Sequence, residues 1–311
     1  MRIISLFSGA GGLDLGLVQA GHEVAWANDI DLDAVSTYKM NIGDHIVCED
    51  IKNVKLSDIP NDSDVVVGGF PCQGFSQANL LRTADDDRNQ LYKFFYKVIK
   101  AKQPKFFIAE NVRGILSIDN GNAIKQIIAD FQEAGYITTV TLINMADYGI
   151  PQTRQRVFIV GQHEKLSDEF MFQFPQKTHG KNGTPLPWLS IKEVLEHFPD
   201  PDEPNDVLNH IYSSYKVEFR NFTGHRSSDP AKPSPTILAR GNGKGGVCAI
   251  PHYNGKRRLT IRESATIQTF PEDFEFLGKM NSCYRQIGNA VPVKFAFLLG
   301  QELRRLEREL E

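Results

Sequence analysis

Apolar positions in the first half of the chain switch repeatedly between two spacings. Short β-rich runs at residues 3–7, 23–27, 46–48, 65–67, 106–109, 137–143 and 157–160 predict strands. Between them, residues 13–20, 32–40, 90–101 and 122–134 have the three- and four-residue spacing of helices. Gly21 and Gly135 follow two of these helices, where a helix end favours a left-handed residue. Strands alternating with helices predict βαβ units and an α/β sandwich on a mostly parallel sheet. Ligands of such sheets bind beyond the carboxyl ends of the strands, so the residues after each strand are the ones to examine for chemistry.

After Gly161 the alternation stops. Residues 176–254 are rich in Pro, Gly, Asn and His, with Pro185, Pro187, Pro199, Pro201 and Pro204 close together, which predicts a second, smaller, loop-rich domain. Residues 291–311 regain a helical stripe of Phe295, Leu298, Leu299, Leu303 and Leu306, expected to pack back on the first domain. The expected division is a catalytic and cofactor-binding domain over 1–184, completed by 285–311, with the second domain over 185–260 and a hinge or return segment over 261–284. A chain of 311 residues is long enough for two domains, and 41% hydrophobic with 23% charged residues is an ordinary globular composition.

A net charge of −3 taken alone speaks against DNA or an acidic membrane as partner. Its distribution reverses that inference. Residues 211–262 hold ten Lys and Arg against Glu218 and Asp229, a surplus of eight positive charges, which leaves eleven negative charges net on the rest of the chain. The segregation points to a basic face for DNA. Cys48, Cys72, Cys248 and Cys283 include no C-x-x-C pair, so a reduced chain without a structural metal is expected. The apolar stretch before Gly9 is too short for a signal-peptide core or a membrane span, so a cytoplasmic protein is expected.

Four strand ends carry candidate chemistry. The first runs into Phe7-Ser8-Gly9-Ala10-Gly11-Gly12 and then a helix, a turn that lets backbone approach a ligand. Such a turn can also be no more than a tight connection, but Asp29 and Asp50, each closing a strand on the same edge, favour the ligand reading, with Asp29 placed to accept from ribose hydroxyls. Asp14 stands where a dinucleotide fingerprint has its third glycine, a poor neighbour for a pyrophosphate, so S-adenosylmethionine is the obvious candidate. The second end is Gly68-Gly69-Phe70-Pro71-Cys72-Gln73-Gly74-Phe75-Ser76; a buried packing cysteine is the bland alternative, but the loop setting favours a nucleophile. In the third, Glu110 and Asn111, a carboxyl group on this edge could donate a proton to a substrate nitrogen. In the fourth, Arg154 and Arg156 alternate in an extended segment and either grip phosphate or a base oxygen or are a basic edge device.

Six ordered blocks carry more than any one alone: FSGAGG (7–12), GGFPCQGFS (68–76), ENV (110–112), QTRQRVFIVG (152–161), RRLTIRESATIQTFP (257–271) and YRQIGNAVPV (284–293). With them the sequence resembles the C5-cytosine DNA methyltransferases of bacterial restriction-modification systems, over nearly its whole length except about 186–254. The resemblance implies a Rossmann-like methyltransferase sheet and a target-recognition domain in the variable stretch. It implies that Cys72 attacks C6 of a flipped cytosine, that Glu110 engages N3, that Asn111 holds the loop of Cys72, and that Arg154 and Arg156 contact the cytosine and its phosphate. For S-adenosylmethionine, with S-adenosylhomocysteine as product, it implies a cradle of Phe7, Gly9, Gly11 and Leu13, with Asp29 as ribose partner beside Ile30, Asp50 with Ile51 as adenine contacts, Pro71 and Leu91 as further lining positions and Asn289, Ala290 and Val291 closing the methionine end. Ile30 departs from the aromatic residue that several relatives place there. Double-stranded DNA is the implied partner, with Gln73, Ser76, Thr236, Arg240, Lys244, Arg257 and Arg258 as contacts. A monomer without metal or membrane association, at the nucleoid, is expected. Three other readings compete: the same chemistry on tRNA, whose branch carries a Cys-Phe-Thr absent here; a silent DNA-binding relative; and a flavin or nicotinamide oxidoreductase.

Overall fold

A computed structural model describes residues 1–70, 89–166, 171–180, 185–213, 228–239 and 250–310. Its main sheet takes β1 (Arg2–Leu6), β2 (Glu23–Asp29), β3 (Ile46–Cys48), β4 (Val65–Gly68), β5 (Phe106–Val112), β6 (Tyr136–Asn144) and β8 (Gln155–His163) in the order β3-β2-β1-β4-β5-β8-β6. The first five strands pair in parallel, and β8 runs antiparallel to both β5 and β6. Two-residue strands β7 (Gln152–Thr153), β9 (His179–Gly180), β10 (Leu186–Pro187) and β11 (Ser234–Pro235) make small pairs beside it.

The period-two alternation of a strand decides which face each residue covers. Ile3, Val65, Val67, Phe106, Ile108, Phe158 and Val160 join one core, while Ile4, Val66, Phe107, Val157 and Ile159 join the other. Helices α1 (Gly12–Gln19), α2 (Leu32–Asn41) and α8 (Val293–Leu310) contribute to the first core, and α3 (Asn89–Lys102) and α4 (Asn122–Glu133) to the second. The chain is therefore an α/β sandwich, as its pattern predicts, and Gly21 and Gly135 have φ of 91° and 92°. Phe295, Leu299, Leu303 and Leu306 of α8 are fully buried against the first face.

Three differences from the pattern matter for the site. Strand β5 continues through Glu110 and Asn111, so both sit within the strand and not after it. Arg154 interrupts the extended segment between β7 and β8. A third core, holding Ile237, Ile250, Phe270 and Phe274, is built around α5 (Ile191–Leu195), α6 (Ile261–Ile267) and α7 (Met280–Asn289), helices the apolar spacing does not announce. Their signal was present in capping chemistry: Ser190 with Glu193 and Thr260 with Glu263 are reciprocal capping boxes that start α5 and α6.

Candidate active site and cofactor cavity

Beyond the carboxyl ends of β1, β2, β4 and β5 lies a cavity of about 770 Å³. Of the expected cofactor residues, Phe7, Gly9, Leu13, Asp29, Ile30, Asp50, Ile51, Leu91, Asn289, Ala290 and Val291 line it. Gly9 has φ of 57°, and a Cβ built there would meet no protein atom within 4 Å. The space beside its backbone belongs to the cavity, which fits a ligand that needs close approach. Gly11 is a correction. It caps α1 in the left-handed region, and a Cβ there would strike Ile42 and Tyr38, so its missing side chain makes room for α2 and not for a ligand. Pro71, Cys72, Gln73, Ser76, Arg240 and Lys244 lie outside the described residues.

Asp29 ties the rim together before any ligand arrives. Its Oδ2 accepts from the Gly9 amide and its Oδ1 from the Asp31 amide, both at 2.8 Å, which fixes the glycine turn relative to the end of β2. Burial holds its pKa above the usual carboxylate range, with those amides working against the rise. Asp50 Oδ1 accepts from the Lys52 amide at 3.0 Å and so starts the short turn that carries Ile51. Ile30 is 67% exposed and stands at the rim. Across the mouth, Arg285 of α7 donates from Nε and Nη2 to Asp31 Oδ2 at 2.9 and 2.7 Å, a clasp that sequence reasoning missed.

At the β5 side of the cavity, Arg156 Nε lies 2.8 Å from Glu110 Oε1, with both side chains largely buried. That oxygen receives no aligned hydrogen bond among the described residues, so the contact is ionic and acceptor capacity remains on the carboxylate. Asn111 Nδ2 donates to the Phe70 carbonyl at 2.9 Å, and its Oδ1 accepts from the Val112 amide. Asn111 therefore anchors the residue that leads into Pro71 and Cys72.

Arg154 lines the cavity together with Arg156, but it is held from behind by main chain. It is 1% exposed, and its Nη1 and Nη2 donate at 3.0 Å to the carbonyls of Ile237 and Gly288. Desolvation lowers its pKa to about 9, with the positive charge of Arg156 a smaller contributor. Two of its nitrogens are engaged by backbone, which braces the site, while its Nε is buried without a hydrogen-bond partner among the described residues. Gln152, unremarked in the sequence, completes the brace. Its Oε1 accepts from the Ile237 amide and its Nε2 donates to Gln268 Oε1, and Gln268 Nε2 in turn donates to the carbonyls of Ile287 and Ala290.

The expected DNA contacts divide. Thr236 is partly exposed beside β11 and donates to the Thr153 carbonyl at 3.0 Å. Arg257 and Arg258 are corrections, because both turn inward. Arg257 makes a bidentate pair with Glu263, 2.7 Å on each side, and Arg258 is 5% exposed, packed at the third core near Leu259 and Tyr284. Arg262 is fully buried and spends its guanidinium on the carbonyls of Leu208, Pro271 and Phe274. Three of the ten basic residues counted over 211–262 thus do not face solvent. Among the described residues no helix is long and apolar enough to cross a membrane, and no cluster of three or more His, Cys, Asp or Glu could hold a metal ion.

A largely parallel sheet with its cavity at this edge is the Rossmann-like arrangement of the methyltransferases, and the chain overlays the Dnmt2 methyltransferase of S. pombe with a TM-score of 0.73 at 22% identity, covering 98% of this chain and 99% of that one. The family model for C-5 cytosine-specific DNA methylase matches residues 1–305, so the chain belongs to that family and is a DNA (cytosine-5-)-methyltransferase. It is 40% identical to the Type II methyltransferase M.NgoFVII of Neisseria gonorrhoeae, over 94% of this chain and 83% of that protein. It is 36% identical to the Type II methyltransferase M.NgoPII of the same organism, over 99% and 97%.

Proposed function

We propose that this enzyme methylates C5 of a cytosine flipped out of a specific duplex DNA sequence, as the modification partner of a restriction system in the bacterial cytoplasm. Bound S-adenosylmethionine would supply the electrophilic methyl group. Gly9, Asp29, Asp50 and Asn289 would hold it in a cavity whose volume and open glycine backbone suit a nucleoside. The remaining steps belong to the chain. The Cys72 thiolate forms a bond to C6 while Glu110, having taken a proton from solvent, passes it to N3, and the electron pair displaced from the C5–C6 double bond makes C5 nucleophilic. After C5 gains its methyl, loss of the C5 proton to water, departure of the thiolate and return of the N3 proton to Glu110 restore the ring. Arg156 holds Glu110 and stands ready for the base oxygen. Residues 185–260 act as the target-recognition domain, and one chain supplies both parts, so the working unit is a monomer.

The observation that carries this reading is the convergence of Glu110, Arg156 and Asn111 at one wall of the cavity, with Asn111 holding the carbonyl of Phe70, two residues before Cys72. Cys72→Ser is expected to abolish methyl incorporation into duplex DNA while S-adenosylmethionine still binds. Wild-type enzyme should trap covalently on DNA containing 5-fluorocytosine. Full activity of the variant, or methylation of tRNA in place of duplex DNA, would reject the assignment. Bisulfite sequencing of DNA from expressing cells then reads the recognised site.

A further inference from the structure

One carboxylate of the cavity wall has no task in the chemistry above. Asp14, in the first turn of α1, lines the cavity and has no exposed surface. Its Oδ1 accepts from Ser5 Oγ at 2.6 Å and its Oδ2 from the Tyr38 hydroxyl at 2.9 Å. The Tyr38 oxygen also lies 2.9 Å from Nε2 of partly buried His45. A chain of polar contacts therefore runs from the cavity wall, through α2, toward the surface.

The charges around the cavity show what Asp14 lacks. Glu110 faces Arg156, Asp31 faces Arg285 and Asp50 faces Lys52, while Asp29, also raised by burial, is held by the amides of Gly9 and Asp31, so that the Asp14→Asn variant is what separates its titration from that of Asp14. Among the described residues, no cation stands within ion-pair distance of Asp14. A buried carboxylate without a cation is costly, and hydroxyl donors offset only part of that cost. Burial accordingly pushes the Asp14 carboxyl up to about 6, with Ser5, Tyr38 and Ser8 opposing the rise. Those hydroxyls are the groups facing it from β1, its turn and α2; beyond Tyr38, His45 has Asp44 and Glu23 as its nearest charges.

The two forms of the cofactor differ in the charge that would relieve this cost. S-adenosylmethionine carries a fixed positive sulfonium, and S-adenosylhomocysteine has a neutral thioether in its place. We propose that Asp14 makes the cavity favour the sulfonium cofactor over the thioether product, its carboxylate being compensated only while the cation is bound. This rests on the cofactor assignment above. When the cation is consumed, Asp14 takes the Tyr38 hydroxyl proton, Tyr38 takes the Nε2 proton of His45, and His45 regains one from solvent at Nδ1. The protons balance, and the product is left in a cavity that no longer attracts it by charge.

Calorimetric titration of wild type, Asp14→Asn and Tyr38→Phe with each ligand between about pH 5 and pH 8 tests this. The sulfonium makes the ammonium of S-adenosylmethionine the more acidic of the two, and the Asp14→Asn variant, titrated alongside, carries that ligand contribution without the carboxylate. In wild type the preference for S-adenosylmethionine should grow about tenfold as pH rises through the Asp14 transition. Near its midpoint, S-adenosylmethionine binding should release more protons than S-adenosylhomocysteine binding, seen by comparing buffers of different ionisation enthalpy. Asp14→Asn should lose the pH-dependent preference by weakening only the sulfonium ligand. Tyr38→Phe should keep the preference but shift its onset to higher pH, because the carboxylate loses a donor. A wild-type ratio that is flat with pH, or an Asp14→Asn variant that weakens both ligands alike, would overturn the inference while leaving the cofactor assignment standing. Failure of wild type to bind either ligand would overturn both.

Discussion

Glu110 and Arg156 meet on a diagonal of the antiparallel β5–β8 pair: Arg156 stands opposite Val112, two residues along from Glu110. Strand register, and not loop conformation, therefore sets their 2.8 Å contact. Removing the cation leaves a largely buried carboxylate beside Gly69. Arg156→Ala is expected to cost about 3–5 kcal/mol in chemical denaturation and to slow single-turnover methylation by at least roughly 100-fold. Glu110→Gln keeps the shape, should retain most of the stability, and should lose activity because an amide cannot deliver a proton to N3.

Arg257 separates a structural arginine from a DNA contact. Its bidentate partner Glu263 is 1% exposed and also receives the Thr260 amide, so the pair closes the start of α6. Arg257→Ala should destabilise the protein by about 3–5 kcal/mol in urea unfolding. In DNA-binding titrations of the folded fraction, the dependence of affinity on salt should keep its wild-type slope, since no phosphate contact is lost.

Gly288 allows α7 to touch the segment around Ile237. A Cβ there would lie 2.3 Å from the Ala239 nitrogen and 2.4 Å from the Leu238 carbonyl carbon, so backbone and not a movable side chain would have to shift. Gly288→Ala should cost about 1–3 kcal/mol and weaken DNA binding more than cofactor binding, measured by parallel titrations.

The Arg285–Asp31 clasp is partly exposed, with side chains 44% and 28% accessible, so its worth to stability is at most about 1 kcal/mol. Its position across the cavity mouth matters more. Arg285→Ala should leave the melting temperature within a few degrees of wild type and speed cofactor dissociation in stopped-flow measurements. Added salt should narrow that difference, because screening weakens the clasp in wild type as well.

Asp14 also predicts a pH dependence of stability for the ligand-free enzyme. A carboxyl raised by burial to about 6, well above the ordinary carboxylate range, binds its proton more tightly in the folded state, so its favourable contribution is present at low pH. That contribution is lost as pH rises from about 4 through about 6, by roughly 3 kcal/mol in all. Asp14→Asn should therefore be more stable than wild type at pH 7.5, and the gap should close below about pH 4 in thermal unfolding scans.

Strands β1 to β5 and helices α1 to α4 were legible because each buries a regular stripe against a two-sided sheet. Apolar alternation ends at Ala109 because Glu110 and Asn111 are polar, yet the strand continues through them where they line the cavity. Gly9 and Gly11 look equivalent in the turn, but one opens on the cavity and the other makes room for Tyr38, a distinction only the position of α2 supplies. Counting charges over 211–262 found the basic segment but could not show that Glu263 consumes Arg257 or that backbone carbonyls consume Arg262. The brace of Gln152, Arg154 and Gln268 is illegible for the same reason, since most of its partners are main-chain groups, those of Ile237 and Gly288 more than eighty positions from the arginine and glutamine that hold them.

Ile237 is gripped at its amide by Gln152 and at its carbonyl by Arg154, and neither grip depends on its side chain or on those of its neighbours. A joint made to the main chain tolerates almost any sequence on the far side of it. The segment that carries Ile237 can therefore diversify in sequence while the cavity wall beneath it keeps its geometry.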